Sequence, residues 1–395
     1  MLNRRTRKSA GVFAGARAVG AGLVLAVVLG AVCAPGLKRA AARAESAKAS
    51  DEAQTTARNF EVQKLAEGVY AVVRKDLPGL MVDANNVFII NDEDVVVVDS
   101  NGAPSITREV LAALRKLTDK PVRYVVNTHY HDDHIRGNQV YKEAFPGVEF
   151  IGHAFARAYL PEQGATNRKG FLEGAPHFRD AMAAQLEKNK SLGGWDLTEE
   201  ERASYQSDIR LINLVLSEGA RAETILPTVT VEDRLTLYRG GREIDIMHLG
   251  NGHTAADLVV YLPKEGVLAA GDLVVAPVPL VGNPQSHVRE WGATLEKIVA
   301  LHPSVIVPGH GPVMRDDSYV RTLSEMFAYI TKQTEAAVAR GETLEQARRS
   351  VNLEEFRKRL AGESRVRQFA FSMYVAGPAV AAAFREASAA KSGGE

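Results

Sequence analysis

Residues 127–137 read NTHYHDDHIRG, and His129, His131 and His134 fall within six consecutive positions of a chain that has ten histidines in 395 residues. Imidazoles this close repel one another when protonated and gain little from burial, so a bound metal ion is the natural reason for the cluster. Side-chain direction repeats every two residues along an extended segment, which puts His129 and His131 on one side as a chelating pair. Asp133 and His134 follow where the sequence turns helical, HIRGNQVYKEAF, and from there they reach a second ion nearby. Three imidazoles with a carboxylate suit zinc, with iron or manganese as alternatives.

Four side chains do not complete two sites. Three further candidates each lie in a glycine-flanked turn beside a β-rich run: His253 in GNGHTAADLVVYL, Asp272 in VLAAGDLVV and His310 in SVIVPGHGPV. Glycine permits a sharp turn and a close approach of backbone to an ion. The only cysteine, Cys33, lies in the N-terminal segment, so nitrogen and oxygen must supply the ligands.

Around these residues the chain alternates short apolar runs with turns. GVYAVV, NNVFII, VVVVDS and PVRYVVNTH read as strands, SITREVLAALRKL as a helix, and TVTV, LTLY, EIDIMHL, DLVVYL and GVLAAG as a second group of strands. Between the two groups, about 155–222 reads as a helical insertion, with Thr198 and Glu201 forming a capping box. The order of elements predicts an α/β fold of two packed sheets with helices outside. The apolar run FAFSMYVAGPAVAAAF near the C-terminus is broken by Gly377 and Pro378 and reads as a packed helix.

Arg4, Arg5, Arg7 and Lys8 precede an apolar stretch and the small-residue run AARA, so residues 1–44 read as a signal peptide, with an uncleaved membrane anchor as the alternative. Residues 45–58 are a flexible lead-in, 59–315 the main domain with its insertion, and 316–395 a C-terminal helical extension. The expected location is periplasmic or secreted, with no stable membrane span after cleavage. Lysine plus arginine equals aspartate plus glutamate at 48 each, which leaves no electrostatic case for nucleic acid.

His129, His131, Asp133 and His134, followed in order by GHT, GD and GHG, resemble the H-x-H-x-D-H signature of the metallo-β-lactamase-fold hydrolases over roughly residues 60–315. The resemblance implies a four-layer αββα sandwich and two zinc ions. His129, His131 and His253 would hold one ion, Asp133, His134 and His310 the other, with Asp272 bridging as in the glyoxalase II and lactonase branch. It further implies an exported hydrolase in which metal-bound hydroxide attacks an ester, lactone, thioester or amide carbonyl of a small molecule, with Asp133 as the catalytic carboxylate. Cysteine-type lactamases place a lysine three residues beyond the bridging position; Val275 stands there, so β-lactam hydrolysis does not follow. A single-iron sulfur dioxygenase-like oxidoreductase and a non-catalytic periplasmic metal-binding protein are the competing readings.

Asp132 reads as a capping or solvated carboxylate, and Asp99 as either a partner behind the ligands or a strand-end turn. His153, His177, His248, His287 and His302 have no motif support. Substrate selection is expected from the insertion, from the 77–86 loop with Leu80 and Met81, and from VAPVPLVGNPQSH after Asp272.

Overall fold

The computed structural model describes residues 59–76, 79–282 and 285–392, so the signal peptide and lead-in expected for residues 1–58 lie outside the described residues. The first sheet takes its seven strands in chain order: β1 (Phe60–Ala66), β2 (Val69–Arg74), β3 (Asn86–Ile90), β4 (Val95–Val98), β5 (Val122–Val126), β6 (Glu149–His153) and β7 (Val229–Val231). β1 to β4 pair antiparallel, and β4 to β7 pair parallel. The second sheet has the order β12-β11-β10-β9-β8, built from β8 (Arg234–Arg239), β9 (Arg242–Met247), β10 (Val259–Leu262), β11 (Val267–Val275) and β12 (Val305–His310).

The period-2 rule explains why VVVV can be apolar throughout. Val96 and Val98 face the core between the sheets, while Val95 and Val97 face the outer core. β2 divides in the same way, with Val69, Ala71 and Val73 inward and Val72 outward. Helices α1 (Pro104–Leu114), α2 (Asp132–Ile135) and α3 (Asn138–Ala144) follow strands of the first sheet, and α1 and α3 cover its outer face. After β6 the chain runs through α4 (Ala154–Tyr159) and a π-turn at Leu160–Gly164 into α5 (Ala165–Glu187), then α6 (Glu199–Ser217). The second sheet is covered by α7 (Val288–Ala300) and α8 (Ser318–Ala339), whose Trp291 and Phe327 rings stack with centroids 4.4 Å apart. The described chain continues through three short helices, α9 (Leu344–Ser350), α10 (Glu354–Ala361) and α11 (Arg365–Phe371), then a π-turn at Ser372–Ala376 and the longer α12 (Gly377–Ser392). The result is the α/β four-layer αββα sandwich.

Local expectations can be checked residue by residue. Thr198 Oγ1 accepts from Glu201 N at 3.1 Å and Glu201 accepts from Thr198 N at 2.9 Å, the capping box read at the start of α6. The FAFSMYVAGPAVAAAF segment packs Phe371, Val375, Val380 and Ala383 into the outer core beside Trp291. Among the described residues no helix is long and apolar enough to cross a membrane. One expectation needs correction. HIRGNQVYKEAF is two helices, α2 and α3: at the break Gly137 N donates to Asn101 O at 2.8 Å in place of a carbonyl of its own helix, and Gly137 packs against Thr107 of α1, where any Cβ would overlap the threonine side chain.

The loop between β2 and β3 is a strap fastened to the insertion, with no strand among its described residues 79–85. Leu80 N and Met81 N donate to the Asp208 carboxylate of α6 at 3.0 and 2.9 Å. Burial raises the Asp208 pKa to about 6, against the opposing pull of those two amides. Its folded-state pKa lies above the unfolded value of about 4, so native protein binds the proton more tightly, and this carboxyl reduces stability as pH rises through that interval. Asp208→Asn keeps an acceptor for the strap and removes the titration. The difference in Tm between variant and wild type should therefore shift in favour of the variant between about pH 4 and about pH 6, measured by thermal unfolding across that range.

Candidate metal centre

The centre lies at the edge of the sandwich where β4, β5, β11 and β12 end. β5 leads through Asn127 and Thr128 into His129 and His131, whose ring centroids are 4.7 Å apart. At the end of β4, Asp99 adopts φ 58°, a left-handed conformation that aspartate tolerates better than most residues. Its carboxylate accepts from Thr128 N, from Thr128 Oγ1 and from His134 Nδ1, each at 2.8 Å. The strand-end turn and the carboxylate partner, weighed as alternatives for Asp99, are one and the same feature.

Two glycines deliver Asp272. Gly271 has φ 53° and interrupts the β11–β12 register, turning the next side chain toward the centre. Gly309 on β12 leaves the space that the Asp272 carboxylate fills, since a Cβ there would overlap Oδ1. His310 follows at the last position of β12, and His253 enters from the loop between β9 and β10. All seven sequence candidates converge. His129, His131, His253 and Asp272 form one group and Asp133, His134 and His310 another, with ligand-capable atoms within 4.8 Å of one another in each.

The outer nitrogen of every imidazole is held by an acceptor. His129 Nδ1 lies 3.2 Å from Thr128 Oγ1, whose own proton goes to Asp99. His131 Nε2 lies 2.9 Å from Gln285 Oε1, His134 Nδ1 2.8 Å from Asp99, His253 Nδ1 2.8 Å from Leu280 O, and His310 Nδ1 3.0 Å from Asp83 O. A neutral ring that donates outward presents a lone pair inward. Inside the centre, His253 Nε2 faces His131 Nδ1 at 2.8 Å and His134 Nε2 faces His310 Nε2 at 3.3 Å. His129 Nε2 and Asp272 Oδ1 are buried without a hydrogen-bond partner. A ring of acceptors aimed at one another is unfavourable unless cations lie between them, so the donor set fits two metal ions.

Charge distribution carries the same signature. Burial, reinforced by the neighbouring imidazoles of His134 and His131, holds His129 well below the usual histidine range; burial likewise lowers His253 to about 3. Burial opposes protonation of His310 too, but Asp272 and Asp133 outweigh it and raise its pKa to about 10. Asp99, Asp133 and Asp272 overcome burial at His134 in the same direction. The carboxylates thus favour positive charge at the His134 and His310 end of the centre.

The remaining candidates divide differently. Asp132 is neither a helix cap nor a solvated carboxylate: His131 occupies the N-cap position of α2, and Asp132 is held by Arg136 Nε at 2.7 Å and Arg168 Nη1 at 3.0 Å. Arg168 comes from α5, so this carboxylate ties the insertion to the centre. His153 and His248 pack on each other, centroids 4.5 Å apart, and with His177, His287 and His302 they stay outside both groups. Gln285 went unnoticed in the sequence because no motif surrounds it, although it lies in the segment expected to govern specificity.

This constellation on this fold defines a class. The profile described as the metallo-beta-lactamase superfamily matches residues 80–310. The chain belongs to the metallo-β-lactamase superfamily of metal-dependent hydrolases. It is similar to a linear primary-alkylsulfatase of Pseudomonas sp., 28% identical over 66% of this chain and 48% of that protein, so it spans about half of that relative's length. It is also similar to a metallo-beta-lactamase type 2 of Bacillus sp., 25% identical over 60% of this chain and 69% of that protein. Among solved structures, a metallo-beta-lactamase from Pontibacter korlensis aligns with TM-score 0.47 and 19% identity, covering 67% of this chain and 99% of that one.

Asp99 orients His134 and neutralises charge behind it. Asp99→Asn should weaken metal binding at the Asp133, His134 and His310 position by about 10- to 100-fold, and by less at the other position, which Asp99 reaches only through Thr128 and His129. Chelator competition followed by metal stoichiometry reads this directly.

Proposed function

We propose that the protein is an exported hydrolase that uses two divalent cations, zinc by the character of the donors, to cleave an ester, lactone, thioester or amide at its carbonyl. The observation that carries this reading is the placement of Asp133. Its side chain is 25% exposed, whereas the five buried members of the constellation are at most 6% exposed. Asp133 therefore meets an incoming substrate, with Oδ2 3.1 Å from His310 Nε2 and 3.5 Å from His134 Nε2.

His129, His131 and His253 would hold one ion, Asp133, His134 and His310 the other, and Asp272 lies between, its Oδ2 3.5 Å from His253 and its Oδ1 3.3 Å from both His134 and His310. Bound there, such a pair lowers the pKa of water toward neutrality and polarises a carbonyl. Asp133 orients the attacking water, takes its proton and returns it to the leaving group. Asp99, Gln285, Leu280 O and Asp83 O keep the imidazoles in the orientation that makes this possible.

Esters and lactones rank above β-lactams because Val275, where cysteine-type lactamases carry a lysine, is buried in β11 and offers no charge. The similarity to an alkylsulfatase favours one second reading, in which the same residues act on a sulfate ester. A single-iron oxidation site is less well supported, because the second ligand group is complete. We assign residues 1–44 to a cleaved export signal; recovery of the full-length chain from the membrane fraction would overturn that assignment.

Treatment with a chelator should abolish hydrolysis across a panel of carboxylic esters, lactones and alkyl sulfates, and two equivalents of zinc per chain should restore it. Asp133→Asn should lower kcat by about 10²-fold or more with the circular dichroism spectrum and Tm nearly unchanged. Turnover that survives both treatments would remove the metal and the carboxylate from the mechanism.

A further inference from the structure

Two cavities border the metal centre, separated by Val82 and Asp83 of the strap. The larger, about 640 Å³, touches the seven-residue constellation only through His310. The smaller, about 390 Å³, touches it through His131 and Asp133, one member of each ligand group. Those two are also the only members of the constellation that are half-buried; the other five are buried. A substrate that meets both ions therefore approaches through the smaller cavity.

That cavity is walled by side chains that form no part of the chemistry. Leu80 and Met81 come from the strap, Phe171 from α5, and Leu211 and Val215 from α6. Most of its polar lining groups away from the metal centre are already engaged. Asp132 is taken by Arg136 and Arg168, and Arg168 also donates to Gly219 O. Tyr159 OH receives protons from Asn167 and from Gln285, and Gln285 in turn faces His131. Asp83 Oδ1 accepts from Gly102 N, and its buried Oδ2, which has no hydrogen-bond partner, is ion-paired with Arg74 Nε at 3.5 Å. Apart from Asp133 and His131 of the metal centre, the charged side chains that line the cavity are paired within the protein, and Phe171, 41% exposed, is an aromatic ring left open to solvent on the cavity's lining. An exposed ring beside an engaged polar frame is the arrangement expected of an apolar ligand pocket.

Resting on the reading of the protein as a two-metal hydrolase, we propose that this cavity binds the apolar acyl or alkyl group of the substrate, an aliphatic chain of about six to ten carbons. The strap and the insertion enclose the chain, and the scissile bond lies over Asp133. Substrate selection then follows from buried methylene groups: each one accommodated improves binding about fourfold until the cavity is full.

Two measurements test this separately from the hydrolysis itself. Calorimetric titration of the zinc-loaded full chain with octanoate and with acetate should show octanoate binding at least 100-fold more tightly, with a negative heat-capacity change. Val215→Trp, which fills the cavity, should reduce octanoate affinity at least tenfold and leave acetate affinity unchanged. Phe171→Ala, at an exposed position where the fold is not at stake, should reduce octanoate affinity at least threefold. In parallel, kcat/KM across p-nitrophenyl esters from acetate upward should rise to about eight carbons in the wild type and stay flat in Val215→Trp. Equal affinity for octanoate and acetate, or an octanoate preference untouched by both variants, would overturn the pocket assignment even if zinc-dependent acetate hydrolysis is intact. Loss of all ester turnover with octanoate binding retained would count against the hydrolase reading and leave the pocket standing.

Discussion

Five imidazoles and two carboxylates aim their electron pairs into one small buried volume, and the architecture around them is intelligible as the means of holding that arrangement. Left to itself such a set would separate or take up protons. The pairs His131 with His253 and His134 with His310 bring ring nitrogen against ring nitrogen at 2.8 and 3.3 Å. Outside them a second ring of groups, Thr128, Gln285, Asp99, Leu280 O and Asp83 O, fixes each ring from behind. Cations in the centre turn a repulsive cluster into a bound one, which is why the donor set is itself evidence for them.

The two sheets serve this centre by ending together. Parallel β4 and β5 bring Asp99 and the histidine run to one edge, and parallel β11 and β12 bring Asp272 and His310 to the same edge. Glycine makes the convergence tight: Gly271 bends β11, and Gly309 removes the side chain that would displace Asp272. The insertion is coupled to the same edge by two ionisable groups, with Arg168 reaching Asp132 and Asp208 holding the strap. Catalytic geometry and the walls of the apolar cavity are consequently parts of one connected frame.

Much of this was legible in the residues themselves, and the pattern of what was not is physical. A period of two places His129 and His131 together, so local geometry alone predicted that chelate. The capping box at Thr198 was equally local. Gly137, in contrast, sits at the break between two helices because its N–H goes to Asn101 O, and it is a glycine because Thr107, thirty residues away, lies against it. Asp132 looked like a cap because its neighbours in sequence suggested one; its true partners include an arginine thirty-six residues on. Gln285 carries no motif, and only the approach of its loop to His131 gives it a role.

By itself the sequence determined the identity and order of the metal-directed side chains, the strand character of runs such as VVVV, and the absence of any thiol ligand after Cys33. These follow from covalent spacing and side-chain chemistry, which no fold can alter. The tertiary structure decided which nitrogen of each histidine points inward, which carboxylate remains exposed, and that the open side of the centre is apolar. Those properties depend on partners that folding brings together, Gln285 with His131 across 154 residues and Asp83 with His310 across 227 among them, and such proximity is set by packing, which residue spacing alone does not encode.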